Sequence, residues 1–493
     1  MTFKNFINNN YILKPKKKLL VYGKIFSLIF KRNIYMKLSL KSIRNRFNKI
    51  LRPHFEEQQL TSFSGIVIFQ SLFTKLNLKK RLSSCFRHLS GSEGYSHGII
   101  SQLLLIHLLI GFRRLSDVKY YANDPMILRA LSLNSSPSVA TISRMLNKQD
   151  EVSVRNIKDL SKELVLDRLS MENLTRITLD YDGTVQSTGR HAEGTAVGFN
   201  KKKKGARSYY PLLCTVSQTG QVLDIHHRPG NVHDSNGARE FIESCVNTMK
   251  NTTPKAKIET RTDSAFFDEK IVTELERLGV EFTISVPFAR FTNLKKLIES
   301  RKRWAKFDNE ISYFESEWKP DSWDDKYRFL FIRTKTKKQQ KGPIQLDLFE
   351  PYEYGYEFKV IVTNKLGKMK NILRFHNGRG CQEGFIGELK SDCQFDYVPV
   401  RKKAGNQVFM YSAIMAHNLN RELQMVADEK QKRLTEKRNS LWTFKKLNTI
   451  RQRIIKCAGR LTKPQGKLKL TMNKNDGVEQ ELLKFLDALE IPL

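Results

Sequence analysis

The stretch RITLDYDGTV, residues 176–185, decides how the chain is expected to fold, because it places acidic residues within a predicted strand. Side chains alternate between the two faces of a strand. The apolar residues of one face are Ile177, Leu179 and Tyr181. The other face carries Asp180 and Asp182, and Gly183 then permits a turn or a close backbone approach. By itself this pattern favours two solvated acids at the end of a strand, and a metal ligand is the alternative.

The segments after this strand predict a mixed sheet covered by helices. Two further strands, YYPLLCTVS and QVLDIHHRP, are joined by the turn QTG, which is typical of a hairpin. A helix follows in DSNGAREFIESCVNTMK, with Asp234 or Ser235 expected at its N-cap. The strand KIETRTDSAF, the helix DEKIVTELERLG and the strand EFTISVP complete an order of three strands, helix, strand, helix, strand. That order is typical of an α/β fold with a mixed sheet.

Basic residues greatly outnumber acidic ones. The 493 residues include 86 lysines and arginines against 50 acids, a formal net charge of +36. Such an excess favours a polyanionic partner, because phosphate neutralisation releases counterions. An anionic membrane is the rival partner, but no uninterrupted apolar run reaches the roughly 18 residues of a membrane span. Six scattered cysteines without a C-x-x-C pair argue against a zinc ribbon or a disulfide scaffold and favour a reducing, cytoplasmic setting.

The rest of the chain divides into regions of different character. Three antiparallel strands are predicted in ISYFESEW, KYRFLFIRTKT and YEFKVIVTNK, which indicate a β-rich insertion. The expected domains are a basic arm at 1–36 (untranslated if Met36 is the start), a helical domain at 37–165, the first part of an α/β core at 166–290, the insertion at 291–370, the second part of the core at 371–428, and a basic helical tail at 429–493.

The helical domain has two interpretations. Residues 99–122 predict one long buried helix, and Ser138 is a candidate cap for a short helix that carries Arg144 and Lys148. These segments indicate either a helix-turn-helix whose second helix reads DNA or an ordinary helical bundle that supports its neighbours. The two interpretations are equally favoured.

Two more segments carry residues that suit chemistry. Asp263 follows a predicted strand at the edge where α/β sheets usually build their sites, although capping of the next helix explains it more simply. In HNGRGCQEGFIGELK, Arg379 is offset from Glu383 and Lys390 by only roughly 40° and 20° around a helix, so the three share one stripe. Such a stripe is either a solvent-facing ion-pair ladder or a carboxylate set between two phosphate-binding cations.

Taken together, Asp182, Asp263 and Glu383 favour a metal site. Two acids at strand ends and one on a later helix can meet at one edge of a mixed sheet. Their oxygens suit Mg²⁺ or Mn²⁺, and two such ions can activate a water or a 3′ hydroxyl for in-line phosphoryl displacement. In a strongly basic chain this arrangement fits chemistry on DNA, because the cations attract the polyanion and the acids recruit the metal.

The ordered motifs LDYDGT, RTDSAFF and HNGRGCQEGFIGELK resemble those of DDE transposases of bacterial insertion sequences. One group of these carries a Y-x2-R-x3-E-x6-K signature, which this chain matches at Arg379, Glu383 and Lys390, with His376 in place of the tyrosine. The stretches GFNKKKKGARSYYPLLCTVSQTG and PGNVHDSNGAREF resemble the "thirteen-eighty" family of insertion sequences. The resemblance covers roughly residues 90–425 and implies a ribonuclease-H-like core with a β-rich insertion.

The resemblance also implies roles for single residues. Asp182, Asp263 and Glu383 become the catalytic acids and the ligands of Mg²⁺, for which Mn²⁺ can substitute. Asp180 and Thr184 are expected to support them. The residues expected to contact DNA are Arg379, Lys390, His376, Trp318, Trp323, Lys202, Lys203 and Arg144. Related enzymes use an aromatic of the insertion to hold a flipped base, but core packing is the favoured alternative for at least one of the two tryptophans.

The implied function is that of a transposase that binds the terminal inverted repeats of its element, cuts the DNA and joins the 3′ ends to a target. Double-stranded DNA is the expected partner, with a homodimer on paired ends and no membrane, in the cytoplasm on the nucleoid. Two alternatives stay open. One is a metal-dependent nuclease of the same fold, and the other is a DNA-binding protein that has lost catalysis.

Overall fold

The acidic strand lies inside the largest sheet of the described residues, with neighbouring strands on both of its sides. The computed structural model describes residues 53–90, 94–189, 191–198, 200, 203–233, 235–336 and 355–490. The expectations for the arm at 1–36, for Lys202 and for Asp234 fall outside these ranges. Within them the strands are β1 (Leu60–Thr61), β2 (Arg176–Gly183), β3 (Gln186–Ser187), β4 (Ala196–Val197), β5 (Arg207–Tyr209), β6 (Leu212–Val216), β7 (Gln221–His226), β8 (Lys257–Thr262), β9 (Glu281–Ser285), β10 (Ala305–Lys306), β11 (Ile311–Trp318), β12 (Tyr327–Lys335), β13 (Tyr356–Thr363), β14 (Gly459–Thr462) and β15 (Lys469–Met472).

Helices pack on the sheet and form most of the described residues that precede β2. In the described ranges they are α1 (Val67–Lys75), α2 (Leu78–Cys85), α3 (His97–Leu109), α4 (Pro125–Leu131), α5 (Val139–Asn147), α6 (Glu151–Met171), α7 (Ala238–Thr252), α8 (Glu269–Arg277), α9 (Thr292–Glu299), α10 (Met369–Asn377), α11 (Gly380–Ser391), α12 (Lys403–Ala427), α13 (Leu447–Ile450) and α14 (Asp476–Ala488). None of the helices in this part of the chain has the length and apolarity to cross a membrane.

Nine strands of the described residues form one mixed sheet, in the order β10-β11-β12-β13-β9-β8-β2-β6-β7. Strand β2 pairs antiparallel with β6 and parallel with β8, and β9 continues the parallel part beside β8. Strands β6 and β7 form the hairpin that the QTG turn predicts. Five of these strands, β2, β6, β7, β8 and β9, can be numbered 1 to 5 in chain order. Across the sheet from β7 to β9 they then follow the order 3-2-1-4-5, which is the topology of a ribonuclease-H-like core. The predicted order of strands and helices is confirmed.

The β-rich region continues the central sheet. Strands β11, β12 and β13 pair antiparallel, as their sequences predict. Strand β13 also pairs antiparallel with β9, where Ile361 lies opposite Ser285. This pairing supplies hydrogen-bond partners to what would otherwise be an exposed edge of the five-stranded core. The region predicted as an inserted subdomain is thus joined to the core through a shared sheet.

Two predicted helices have different bounds in the structure. The helix expected at 99–122 ends at Leu109, because Gly111 adopts a positive φ of 96° that no helix accommodates. Helix α7 begins after Gly237, whose φ of 71° replaces the expected cap at Asp234 or Ser235. The predicted cap of α5 is confirmed, since the hydroxyl oxygen of Ser138 accepts a hydrogen bond from the amide of Thr141 at 3.1 Å.

Helix α12 joins the helical region to the sheet. Almost its whole length is buried, and it packs against α3, α5 and α6 as well as strand β7. Asn418 lies on the side that faces the sheet, where its side chain accepts a hydrogen bond from the backbone amide of Val222 at 2.9 Å and donates one to its carbonyl oxygen at 2.8 Å. The amino-terminal helices and the core therefore share one hydrophobic interior.

The expectation of a helical tail after residue 428 is wrong for most of its length. Residues 428–446 are irregular, and β14 and β15 form a small sheet with β1. The irregular stretch crosses the central sheet, where the amide of Leu441 donates to the carbonyl oxygen of Gln218 at 2.9 Å. Such tertiary hydrogen bonds replace the ones that a helix would form internally. Only α14, near the carboxyl terminus, matches the predicted amphipathic helix.

Candidate active site

The site is built on the pairing of two parallel strands, β2 and β8. Their register places Asp180 opposite Arg261. Residues two positions apart on a strand share a face, so the next pair on this face is Asp182 and Asp263. Asp263 directly follows the last residue of β8. Two aspartates therefore lie side by side at the carboxyl edge of the sheet, immediately beyond a buried pair of opposite charge.

The buried pair is a two-pronged ion pair. Nε of Arg261 donates to Oδ1 of Asp180 and Nη2 donates to Oδ2, both at 2.7 Å, and both side chains are fully buried. The same guanidinium donates to the carbonyl oxygens of Phe375 (2.9 Å) and Lys437 (2.7 Å) and to the hydroxyl of Ser217 (2.8 Å). Burial raises the pKa of the Asp180 carboxyl, and the Arg261 contacts oppose that rise. Asp180 therefore lies beneath Asp182 on the same face of β2, and its supporting role stays a prediction.

The two edge aspartates share one cation. Nη2 of Arg379 lies 3.4 Å from Oδ2 of Asp182 and 3.6 Å from Oδ2 of Asp263. The Asp182 and Asp263 side chains are 22% and 38% exposed, whereas that of Arg379 is only 15% exposed. Asp263 also caps the short turn after β8, since its Oδ1 accepts a hydrogen bond from the amide of Ala265 at 3.0 Å. The cap considered for Asp263 is therefore present, and its role as a site residue stays a prediction.

Helix α11 carries the third predicted acid. Its first turn is held against β2 by Gln382, whose Nε2 donates to the carbonyl oxygen of Asp180 at 2.8 Å. Glu383 is exposed and lies one helical turn after Arg379. In the described part of the chain, no three histidine, cysteine or acidic side chains are close enough together to hold a metal ion. The structure therefore brings Asp182 and Asp263 together without Glu383.

The donor set nevertheless fits a divalent cation in part. Two carboxylates converge on a single positively charged nitrogen, so the site already binds a cation in the form of a guanidinium. Carboxylate oxygens are the ligands that Mg²⁺ and Mn²⁺ prefer, and Glu383 lies close enough along the chain to add a third.

The expected DNA contact of His376 does not fit its position. The ring is buried between α10 and β9, with Nδ1 3.0 Å from the hydroxyl of Thr283 and Nε2 3.0 Å from that of Ser285. Burial, together with Lys359 and Arg379, lowers the pKa of His376 well below its ordinary value. A neutral imidazole that bridges two strand hydroxyls holds α10 against the sheet, and it presents nothing to a phosphate.

The two tryptophans pack within the hydrophobic core. Trp323 is 7% exposed and stacks on Phe267 with ring centroids 4.7 Å apart. Trp318 is half-buried and meets Phe329 and Phe291 edge to face, at 4.9 and 5.5 Å. Trp323 is therefore too buried to hold a flipped base. Both rings pack in the core, which was the favoured alternative.

Four further residues were expected to contact DNA or to support the acids, and they differ in exposure. Arg144 is exposed on α5, and Lys203 is exposed in the loop before β5. Lys390 is half-buried in the last turn of α11. Thr184 is buried, and its amide donates to the carbonyl oxygen of Pro211 at 3.0 Å, which ties the end of β2 to β6.

The sequence interpretation missed Arg261 and Glu259. Glu259 lies on the same face of β8, where it accepts hydrogen bonds at 2.7 Å from Arg176, Lys365 and Arg438. Burial raises the pKa of its carboxyl, but these cations outweigh burial and hold that pKa below its ordinary value. We call Glu259, the pair Asp180 and Arg261, and the pair Asp182 and Asp263 the polar column. Glu259, Arg261 and Asp263 are spaced two residues apart in a buried strand and just after its end. This spacing was the sequence signal that could have revealed the polar column.

Gly378, just before Arg379, is the tightest point beside the column. A Cβ built there would clash with the carbonyl oxygen of Lys437 and with Nη1 of Arg261, which bond to each other. We therefore expect Gly378→Ala to lower the free energy of unfolding by about 1–3 kcal/mol, measured by urea denaturation. Gly380→Ala is the matched control, because a Cβ there meets nothing among the described residues within 4 Å. Equal stability of both variants would contradict this packing.

One family model matches almost the whole chain. It is described as transposase DDE domain group 1, and it covers residues 43–491. No curated protein matches the sequence.

Several solved structures are similar at low identity. A piggyBac transposase synaptic complex with hairpin DNA is 12% identical over 79% of each chain, with a TM-score of 0.37. A Mos1 transposase paired-end complex with the left transposon end is 11% identical over 40% of this chain and 60% of that chain, with a TM-score of 0.17. A Mos1 mariner paired-end complex with Mn is 11% identical over 32% and 52%, with a TM-score of 0.16. TM-scores this low establish neither a shared fold nor shared partners.

Proposed function

Because the chain belongs to the DDE transposases, as a member of transposase DDE domain group 1, we propose that it moves an insertion sequence by a cut-and-join reaction. In this proposal it binds the terminal inverted repeats of its element, cuts the DNA at the ends and joins the freed 3′ ends to target DNA. The proposal includes membership of the group with the Y-x2-R-x3-E-x6-K signature and of the "thirteen-eighty" family. It also includes a homodimer on paired ends, acting on nucleoid DNA in the cytoplasm.

The observation that carries the proposal is the pair of aspartates at the carboxyl edge of the sheet. Asp182 and Asp263 end adjacent parallel strands and face one cation, and the fold buries an ion pair beneath them to fix their positions. A purely structural acid needs no partner acid beside it, because adjacent like charges are destabilising. Two such acids at the edge of an α/β sheet are best explained by a cationic ligand at that edge.

Asp182, Asp263 and Glu383 would hold Mg²⁺ or Mn²⁺. Bound there, the metal ions would activate a water or a 3′ hydroxyl and stabilise the leaving oxygen of an in-line displacement. The chain's own residues position the acids for this role: Arg261 fixes the loop and strand beneath them, and Gln382 anchors the helix that carries Glu383.

The DNA would approach along α11. Glycines face open space on this helix, since a Cβ at Gly380, Gly384 or Gly387 would meet nothing within 4 Å among the described residues. A phosphate backbone can therefore come close to the helix, where Arg379 and Lys390 supply positive charge. Arg144 and Lys203 are exposed elsewhere and would hold more distant phosphates, in line with the net charge of +36.

The test uses the purified full chain and duplexes made from the DNA that flanks its coding sequence. With Mg²⁺ we expect nicks at the ends of the inverted repeats, and with EDTA we expect end binding without nicks. Precut ends incubated with a supercoiled plasmid should be joined to it. Nicking without joining would favour the nuclease alternative. Binding without nicking would favour a DNA-binding protein that has lost catalysis.

A further inference from the structure

Arg379 lies where a divalent cation would have to bind. Its Nη2 contacts one oxygen of each edge aspartate, and those oxygens belong to two of the three proposed metal ligands. A metal ion takes carboxylate oxygens at about 2.1 Å. An ion that used these oxygens would therefore lie within a few ångströms of the guanidinium, and the two positive charges would repel each other.

We propose that Arg379 is an internal counter-cation that occupies the metal site of the free protein and yields it when DNA binds. This inference rests on the proposed function, because it takes Asp182 and Asp263 to be metal ligands. It goes beyond that function by making metal binding conditional on DNA.

The contacts of Arg379 are those of a residue that can leave. Its distances to the aspartates, 3.4 and 3.6 Å, exceed the roughly 2.7–2.9 Å of a strong charged hydrogen bond. Arg261, by contrast, holds Asp180 with two bonds of 2.7 Å and bonds to three further acceptors. Nε of Arg379 is buried and donates to no acceptor in the described residues, which disfavours this position by the free energy of an unmade hydrogen bond. Of the two arginines at the column, Arg379 is the one free to move.

A DNA phosphate is the group that would take Arg379 away. A guanidinium binds phosphate oxygens with two parallel hydrogen bonds, a better geometry than the single nitrogen now shared between the aspartates. The glycine-lined, open face of α11 begins at the next residue, Gly380, so the side chain has space to turn and the backbone of a duplex has space to approach. When the guanidinium moves to the phosphate, Asp182 and Asp263 lose one positive neighbour and the oxygens that it contacted become accessible to the metal.

Such a mechanism couples the two ligands thermodynamically. If DNA increases the affinity for the metal by some factor, the metal must increase the affinity for DNA by the same factor, and coupling of this kind typically amounts to about 5–150-fold. The benefit to a transposase is that its metal site is favoured where DNA is already bound.

The test measures Mn²⁺ binding to the full chain by electron paramagnetic resonance of the free ion, so that it does not depend on activity. We expect Arg379→Met to bind Mn²⁺ about tenfold more tightly than the wild type when no DNA is present. Duplex DNA from the element's end should tighten Mn²⁺ binding by the wild type by a similar factor and should change the affinity of Arg379→Met little. Arg374→Met is the matched control, because it removes an exposed positive charge from the preceding helix, and it should bind Mn²⁺ like the wild type.

Other outcomes would overturn the inference. If Arg379→Met, folded by circular dichroism, binds Mn²⁺ no more tightly than the wild type, Arg379 is not a competitor of the metal. If Arg374→Met gains as much Mn²⁺ affinity as Arg379→Met, the gain comes from the lower net charge of the protein and not from the loss of the contact between Arg379 and the aspartates. The double variant Arg379→Met/Asp263→Asn should lose the gain in Mn²⁺ affinity, and this loss would assign the gain to the site that contains Asp263. Failure of the proposed function is distinguishable, since it would appear as a wild type that binds Mn²⁺ and DNA with the expected coupling but neither cuts nor joins.

Discussion

Asp182→Asn and Asp263→Asn should each lower the rate of end cutting in Mg²⁺ by about 1,000-fold or more, which corresponds to about 4 kcal/mol of lost transition-state stabilisation. Asparagine keeps the shape of the side chain and removes its charge, so the loss isolates the role of the carboxylate as a metal ligand. The measurement is single-turnover cutting of a labelled duplex that contains the element's end. Binding of the same duplex in EDTA, measured by gel shift, should change little.

The stability of these variants should also change little. Both aspartates are partly exposed, and exposed ion pairs contribute at most about 1 kcal/mol. Glu383→Gln should match them in lost cutting if it supplies the third carboxylate. A variant Asp182→Asn that cuts at the wild-type rate would remove Asp182 from the site and return the choice of first acid to Asp180, whose own replacement is expected to unfold the protein instead.

The largest effect on stability is expected for Arg261→Met. The substitution removes one member of a fully buried ion pair and leaves the Asp180 carboxylate without its counter-charge, which typically lowers the free energy of unfolding by about 3–5 kcal/mol. The carbonyl oxygens of Phe375 and Lys437 lose a donor at the same time. Because native proteins are stable by only about 5–15 kcal/mol in total, much of the variant should be unfolded or aggregated at physiological temperature. Urea unfolding followed by circular dichroism measures the change.

The double variant Asp180→Leu/Arg261→Met separates the ion pair from the rest of the network. Removing both charges avoids the isolated buried carboxylate, so the double variant should be more stable than Arg261→Met alone. The double variant should regain only part of the lost stability, because the carbonyl oxygens of Phe375 and Lys437 still lack their donor. If the double variant is as unstable as the single one, the hydrogen bonds of Arg261, and not its charge, hold this part of the fold.

Much of the fold could be predicted because the signals are local. Alternation in the stretch at 176–185, the QTG turn and the helix after β8 each specify one element, and the strand order follows from chain order and the rules of α/β connection. The length of α3 and the cap of α7 were predicted wrongly, because a single glycine with positive φ decides each of them. The irregular path of residues 428–446 could not be predicted, because some of its hydrogen bonds go to Gln218 and Glu259, about two hundred residues earlier.

The positions of Asp182 and Asp263 at the edge of the sheet were predictable, and the cations that face them were not. Asp182 and Asp263 follow from strand ends, whereas the partner of Asp180 depends on the register between β2 and β8, which no local pattern specifies. His376 lies three residues before Arg379 and, like Arg379, was expected to contact DNA. Its direction is decided by the packing of α10 on β9, which turns the imidazole inward to two hydroxyls. Residue type alone could not distinguish a histidine that faces DNA from one that joins two elements.

The path of residues 437 and 438 across the polar column has a consequence for synthesis of the protein. Arg261 donates to the carbonyl oxygen of Lys437, and Glu259 accepts from Arg438, so the centre of the sheet is completed by a segment made about 175 residues later. Chains emerge from the ribosome at about 5–20 residues per second and fold from the amino terminus. The acidic edge of a growing chain therefore rests on an incomplete base until residues 437 and 438 have been made and have reached the sheet.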